Sequence, residues 1–129
     1  MLEFRKAERL CSKKRIDGLF SGGRSLSAYP IRAVYAPKEE GGEPVEVLVS
    51  VSKRHFKRAV DRNRLKRLIR EAYRLNKSVL LDYLQGRRFS VAFLWMSDNM
   101  ADYVTVEEKM RNLLQRIAES NTNATNPDA

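Results

Sequence analysis

Apolar positions recur along this chain with two different spacings, and each spacing predicts one type of element. In 45–52 every second residue is a valine, which is typical of a strand with one buried face. Residues 30–36 predict another strand, and the turn-forming residues of 37–44 between the two predict a hairpin. The run 89–96 is apolar at almost every position, so we expect a central strand that is covered on both faces.

Helical spacing of three and four residues appears before these strands. Ile16, Leu19 and Phe20 share one face of a short first helix. Ser12 is the expected N-cap of this helix, and the glycine pair at 22–23 is its expected end.

Helical spacing appears again in the second half of the chain. A short helical piece is expected at 80–84, and a longer final helix opens with Thr105 and Glu108 in the pattern of a capping box. Residues 121–129 have no apolar period, so we expect a disordered tail after one domain that spans 1–120. Helices on a small sheet give an α+β fold, a two-layer sandwich.

Positive charge is concentrated in one segment of the chain. The 129 residues carry a net charge of +9, and 53–74 alone holds ten basic side chains against two acidic ones. A nearly neutral body with one concentrated basic segment attracts polyanions.

Other features of the sequence narrow the class of protein. It lacks the roughly 18 consecutive apolar residues of a membrane span and the apolar segment of a secretory signal, so we expect a cytoplasmic protein without a membrane partner. One cysteine, Cys11, and one histidine, His55, supply neither an internal disulfide nor a zinc site.

The basic segment predicts an amphipathic helix over 62–77, with Asp61 as its N-cap. At about 100° per residue the two sides of this helix separate cleanly. The apolar side holds Leu65, Leu68, Ile69, Ala72 and Tyr73, and the polar side holds Asn63, Lys66, Arg67, Arg70, Arg74 and Lys77. A row of like charges repels itself, which favours a nucleic-acid backbone as its partner. The alternatives are a solvated helix face and a membrane-surface helix, whose tryptophan and phenylalanine anchors this apolar side lacks.

The chain runs from Val51-Ser52-Lys53-Arg54 into a helix in which Arg62-Asn63-Arg64 precedes Lys66-Arg67 and Arg70. This pattern resembles the RNR motif of the bacterial ribonuclease P protein family. Arg15, Phe20 and Gly23 resemble the first helix of that family, so the similarity covers about residues 4–118. Where the family often has an aromatic residue four positions before Phe20, this chain has Ile16.

The resemblance implies a mixed sheet with a left-handed βαβ crossover. It also implies a protein that binds a catalytic RNA subunit together with precursor tRNA, whose 5′ leader the assembly removes by hydrolysis. The implied RNA-binding residues are Lys53, Arg54, Arg62, Asn63, Arg64, Lys66, Arg67, Arg70 and Arg74. A cleft of the family holds the single-stranded leader on aromatic rings, for which Phe20 and Tyr35 are the candidates. The alternative for each of these two rings is a place in the core.

We expect no catalytic residue and no metal site on the protein itself. Asp98 and Asp102 are weak candidates for binding Mg²⁺, and the resemblance implies instead that Mg²⁺ is bound through the RNA subunit. No obligate protein partner is evident. Two alternatives to the family remain: another RNA-binding module, which the extended Arg-Asn-Arg pattern disfavours, and a self-sufficient nuclease, which the lack of an acidic cluster disfavours.

Overall fold

The computed structural model describes residues 8–10, 13–38 and 43–123. Its elements in chain order are α1 (Lys13–Gly22), β1 (Arg24–Ala28), β2 (Ile31–Pro37), β3 (Val45–Ser50), α2 (Ala59–Asn76), α3 (Ser78–Leu81), β4 (Phe89–Trp95) and α4 (Tyr103–Asn123). Cys11 and the expected N-cap Ser12 lie outside the described residues, as does most of the tail predicted over 121–129. Helix α4 continues to Asn123, which is beyond the predicted start of that tail.

The four strands form one mixed sheet in the order β1-β2-β4-β3. Strand β2 is antiparallel to both β1 and β4, and β3 is parallel to β4. The predicted hairpin between β2 and β3 is therefore wrong, because β4 lies between them. Strand β4 is apolar on both faces and takes the central position that such a strand requires. The sequence analysis missed β1, whose residues RSLSA carry too little apolar signal.

The basic segment lies inside a βαβ unit, in which β3 leads through α2 and α3 to the adjacent parallel strand β4. This unit and the mixed sheet confirm the α+β fold. The left hand of the crossover stays a prediction. The short helix α3 begins at Ser78 and ends at Leu81, slightly earlier than the predicted 80–84.

One face of the sheet packs against α2, α3 and α4 to form the main core. The predicted valine alternation is confirmed, since Val45, Val47 and Val49 are all buried in that core. On the other face α1 packs through Leu19 against Val34, so a short helix is added to the predicted two-layer sandwich. These contacts hold both α1 and α2 against the sheet.

Two of the predicted helix caps are wrong. Helix α2 begins at Ala59, its N-cap position is occupied by Arg58 without a side-chain cap, and Asp61 lies within the first turn. A carboxylate in that turn still interacts favourably with the helix dipole. Helix α4 is capped by Asp102, whose Oδ1 accepts the backbone N–H of Thr105 at 3.0 Å. Asp102 therefore takes the capping role that the pattern assigned to Thr105.

Candidate nucleic-acid interface

Helix α2 presents a basic outer side because its inner side is fixed by the core. Its buried residues are Leu65, Ile69, Ala72 and Tyr73, whereas Leu68 is only half-buried. The predicted polar side is exposed or half-buried along its length, at Asn63, Lys66, Arg67, Arg70 and Arg74. The apolar and basic sides predicted from the sequence are thus found on the helix.

A groove opens between this helix and the N-terminal segment of the chain. It is lined by Arg9, Asn63, Arg67, Arg70, Glu71 and Arg74. Arg9 is placed there by a parallel β-bridge to Val47 and by the N–H of Leu10, which donates to the Val47 carbonyl at 2.8 Å. Burial lowers the pKa of the Arg70 guanidinium, and the charge of Arg9 lowers it further. The described lining thus brings four guanidinium groups and one amide together with a single carboxylate, which favours a bound anion.

Sequence reasoning missed Arg9, because a single arginine far from the basic segment gives no local signal of its place. The sequence signal that could have found it was its neighbour Leu10, an apolar residue that packs into the smaller core cluster.

One cation of α2, Arg74, and the residue directly after the helix, Lys77, are engaged with carboxylates of the protein. The Nε of Arg74 donates to Oε2 of Glu71 at 3.1 Å, and this hydrogen bond lowers the pKa of Glu71 and raises that of Arg74. The Nζ of Lys77 lies 3.1 Å from the Glu8 carboxylate, and the two side chains are only 13% and 6% exposed. Lys77 therefore holds the N-terminal segment against α2, and its predicted place in the exposed row is wrong.

The three residues of the Arg-Asn-Arg pattern do not face one surface. Asn63 lines the groove, whereas Arg64 is exposed to solvent on a neighbouring part of the helix. Arg62 projects about 160° away from Arg64 around the helix axis. Its guanidinium donates to the carbonyls of Phe56 and Lys57 at 2.8 and 2.9 Å. Arg62 thus stabilises the loop before α2.

That loop displays Lys53 and Arg54 in an exposed turn. The backbone carbonyl of Ser52 accepts the N–H of His55 at 3.1 Å, and its Oγ accepts the N–H of Arg54 at 3.0 Å. The His55 Nδ1 lies 2.7 Å from Oδ1 of Asp98, which connects the turn to the loop after β4. The two cations are therefore carried by an ordered turn near the start of α2.

Asp98 and Asp102, which the sequence offered as candidates for binding Mg²⁺, have structural contacts, as does the nearby Glu107. Asp98 contacts His55, and Asp102 caps α4. Glu107 accepts hydrogen bonds from Asn76 at 3.1 Å and from the Tyr103 hydroxyl at 3.0 Å, and both lower its pKa. Burial and this hydrogen bond raise the pKa of Tyr103 to about 12. Within 8–10, 13–38 and 43–123, no three histidine, cysteine or acidic residues are grouped to hold a metal ion.

The two candidate rings for a leader are not brought together. Phe20 is 47% exposed on α1, so its ring is available to a ligand. Tyr35 is buried in the main core, where its hydroxyl donates to Oγ of Ser120 at 2.8 Å and its ring meets Phe89 edge-on at 6.2 Å. Helix α1 lies on the opposite face of the sheet from that core. Phe20 and Tyr35 therefore do not line one cleft.

The face of the sheet beside α1 is only partly covered. Alternation along the strands places Arg32, Leu48 and Leu94 on this face, and all three are exposed or half-buried. The Nε of Arg32 donates to Oγ of Ser25 at 2.7 Å across the β1–β2 pair. We call these three residues the open sheet face. The sequence feature that indicates this face is the alternation along β2, in which the even-numbered residues lie on the face opposite Tyr35.

Among the described helices, none combines the length and apolar character that crossing a bilayer requires.

Comparisons with known proteins agree with this architecture. The family model described as Ribonuclease P matches residues 4–118. A ribonuclease P protein component of Porphyromonas gingivalis is 47% identical over 116 residues, which cover 88% of this chain and 85% of that protein. The solved RNase P protein of Thermotoga maritima matches with a TM-score of 0.69 and 26% identity, covering 84% of this chain and 96% of that one. The RNase P protein of Staphylococcus aureus, with 20% identity over 87% of this chain and 96% of its own, shares the fold at a TM-score of 0.71.

Proposed function

This chain belongs to the ribonuclease P protein family, and on that premise we propose that it binds the RNA subunit and the 5′ leader of precursor tRNA. In this role it assists the endonucleolytic removal of the leader, which gives the mature 5′ end of the tRNA. The observation that carries the proposal is the groove between Arg9 and α2, whose lining contains four arginines and a single carboxylate.

Phosphate contacts account for the arrangement of the basic side chains. Arg67 and Arg70 face the groove, and Lys53 and Arg54 extend the positive surface beyond the start of α2. Each cation that neutralises a phosphate releases a counterion, so these contacts supply affinity that does not depend on base sequence. Neutralising phosphates also reduces the repulsion between two RNA molecules that must lie side by side.

The single-stranded leader is assigned to the surface around α1. Phe20 offers an exposed ring on which an unpaired base can stack, and the open sheet face lies beside the same helix. Ile16, which is a half-buried residue of the same helix, supplies an apolar contact in place of a second ring. Tyr35 is left out of this assignment because its ring and its hydroxyl are both used in the core.

The chemical step is assigned to the RNA subunit, together with the Mg²⁺ ions that it binds. The supporting observation is that Asp98, Asp102 and Glu107 each have a structural contact and do not converge on one point. The role of this protein is then to position the substrate and to screen phosphate charge, which acts on binding more than on the chemical step.

Reconstitution tests this proposal. The protein alone is expected to cleave no precursor tRNA, whereas the RNA subunit alone cleaves it when Mg²⁺ is raised far enough to screen the phosphates. Adding the protein should restore cleavage at low Mg²⁺. Cleavage by the protein without RNA, or no effect of the protein at low Mg²⁺, contradicts the proposal.

A further inference from the structure

A second cationic groove lies where β2 ends and β4 begins. Arg24, Arg87 and Arg88 stand around it, and Tyr35 and Phe89 form part of its wall. The sheet register fixes this arrangement, since Arg24 is paired with Tyr35 and the carbonyl of Arg88 accepts the N–H of Lys38 at 3.0 Å. The adjacent pair Arg87 and Arg88 and the sequence-distant Arg24 are therefore held around one opening.

The described lining of this groove is rich in basic side chains. Lys38 also lines it, but its side chain is 3% exposed and forms an ion pair with Glu46. Arg24 is exposed, and Arg87 and Arg88 are half-buried. Its lining, as far as the structure describes it, contains no carboxylate. A cavity of about 510 Å³ with this lining is large enough for part of a nucleotide chain.

This groove continues into the surface around α1. A neighbouring groove is lined by Lys14, Arg15 and Gly18 of α1, and the two share Ala36, Pro37 and Lys38. The same helix carries the exposed ring of Phe20. A concave and basic path therefore runs from α1, around the end of β2, to the three arginines.

We propose that the groove of Arg24, Arg87 and Arg88 binds backbone phosphates of the distal part of the single-stranded leader, farther from the cleavage site than the nucleotides at Phe20. This inference rests on the proposed function, because it takes the leader as the ligand. Guanidinium groups pair with phosphate oxygens in a bidentate manner and read no base edge. The length of the leader, and not its sequence, is then what the groove detects.

The test compares precursor tRNAs with leaders of about 4 and about 15 nucleotides, which bracket the length that one binding surface occupies. The assembled enzyme with the wild-type protein is expected to bind the long leader more tightly. The double variant Arg87→Ala/Arg88→Ala should lose this advantage and bind the short leader as the wild type does. For the long leader the slope of log K against log salt should flatten by about 1.4, since each phosphate contact to a single strand contributes about 0.7 to that slope.

A matched control removes the same charge elsewhere. The double variant Lys109→Ala/Arg111→Ala takes two cations from α4 and should keep the full dependence on leader length. Melting temperatures check the fold of both double variants. Should the alanine pair at 87–88 be unstable, Arg24→Ala carries the test, because its side chain is exposed.

The possible results separate this inference from the proposed function. Equal loss for both leader lengths overturns the inference and assigns the groove to the RNA subunit, and no loss for either length overturns any role of the groove in RNA binding. If the wild-type enzyme itself does not prefer precursor over mature tRNA, the proposed function fails together with the inference. A loss confined to the long leader supports the proposal.

Discussion

Arg9 and Arg70 line the same groove, and after burial the charge of Arg9 is the second cause that lowers the pKa of the Arg70 guanidinium. Two like charges held close together by the fold repel each other in the absence of a ligand. A phosphate placed between them relieves that repulsion and gains two charge-assisted hydrogen bonds. This relationship suggests that the groove is arranged for an anion.

A double-mutant cycle tests whether Arg9 and Arg70 contact the same phosphate. Arg9→Ala and Arg70→Ala are each expected to weaken binding to the RNA subunit. The double variant should lose less than the sum of the two, by about 0.5 kcal/mol or more, because residues that share a ligand are not independent. Strictly additive losses would assign the two arginines to separate contacts.

Lys77 is predicted to act on stability and not on RNA contacts. Lys77→Met should lower the free energy of unfolding by roughly 3 kcal/mol, since it removes the partner of a nearly buried carboxylate, that of Glu8. Urea denaturation measures this loss. Under conditions where the variant is folded, its affinity for RNA should stay near that of the wild type. If the variant has normal stability but a large loss of affinity for RNA, Lys77 contacts RNA and this prediction is wrong.

Phe20 and Tyr35 are expected to behave differently. Phe20→Ala should weaken binding of leader-bearing tRNA by about 1 to 3 kcal/mol, the contribution of one stacked base, and should spare mature tRNA. Tyr35→Phe should cost about 1 kcal/mol of stability by removing a hydrogen bond, the one to Ser120, and leave leader binding intact. Leader-specific loss in the Tyr35 variant, or equal loss for both tRNAs in the Phe20 variant, would contradict these roles.

Glu46 predicts a pH dependence of stability. Burial raises its pKa, but hydrogen bonds and charge from Lys38 and Arg15 outweigh burial and hold the pKa below the ordinary 4.5. A pKa that is lower in the folded state contributes stability that is present above the unfolded value and lost as the pH falls through the folded one. The wild type should therefore have a higher melting temperature than Glu46→Gln at neutral pH. The difference between the two melting temperatures should disappear in acid. A difference in melting temperature that does not change with pH would show that the ion pairs of Glu46 with Arg15 and Lys38 do not stabilise α1 on the sheet.

The elements with strong periodicity were predictable from the sequence. The valine alternation of β3, the doubly apolar β4 and the two sides of α2 follow directly from local spacing. The pairing of β3 with β4 was not predictable in this way, because the turn residues of 37–44 suggest a hairpin and the competing partner lies about forty residues later. Strand β1 was missed because its serines give no alternation of apolar residues.

The sequence predicted which residue types form the candidate site, but it did not predict how the fold arranges them. The excess of cations on α2 is visible in the sequence, but the ion pair of Lys77 with Glu8 and the carbonyl contacts of Arg62 depend on segments that only the tertiary fold brings near. Arg9 joins the site for the same reason. Tyr35 was assigned to the same cleft as Phe20 because its position in β2 does not reveal which face of the sheet it occupies until the pairing is known.

The most direct test of the account is the salt dependence of affinity between the RNA subunit and the Arg67→Ala variant. Arg67 is exposed, lines the groove and lies on the basic side of α2. If it contacts a phosphate, the variant should bind more weakly, and the slope of log K against log salt should flatten by roughly 0.7 to 0.9. Arg111→Ala, which removes an exposed arginine from α4, should leave the slope unchanged. An Arg67→Ala variant with the affinity and slope of the wild type would contradict the claim that this side of α2 binds RNA.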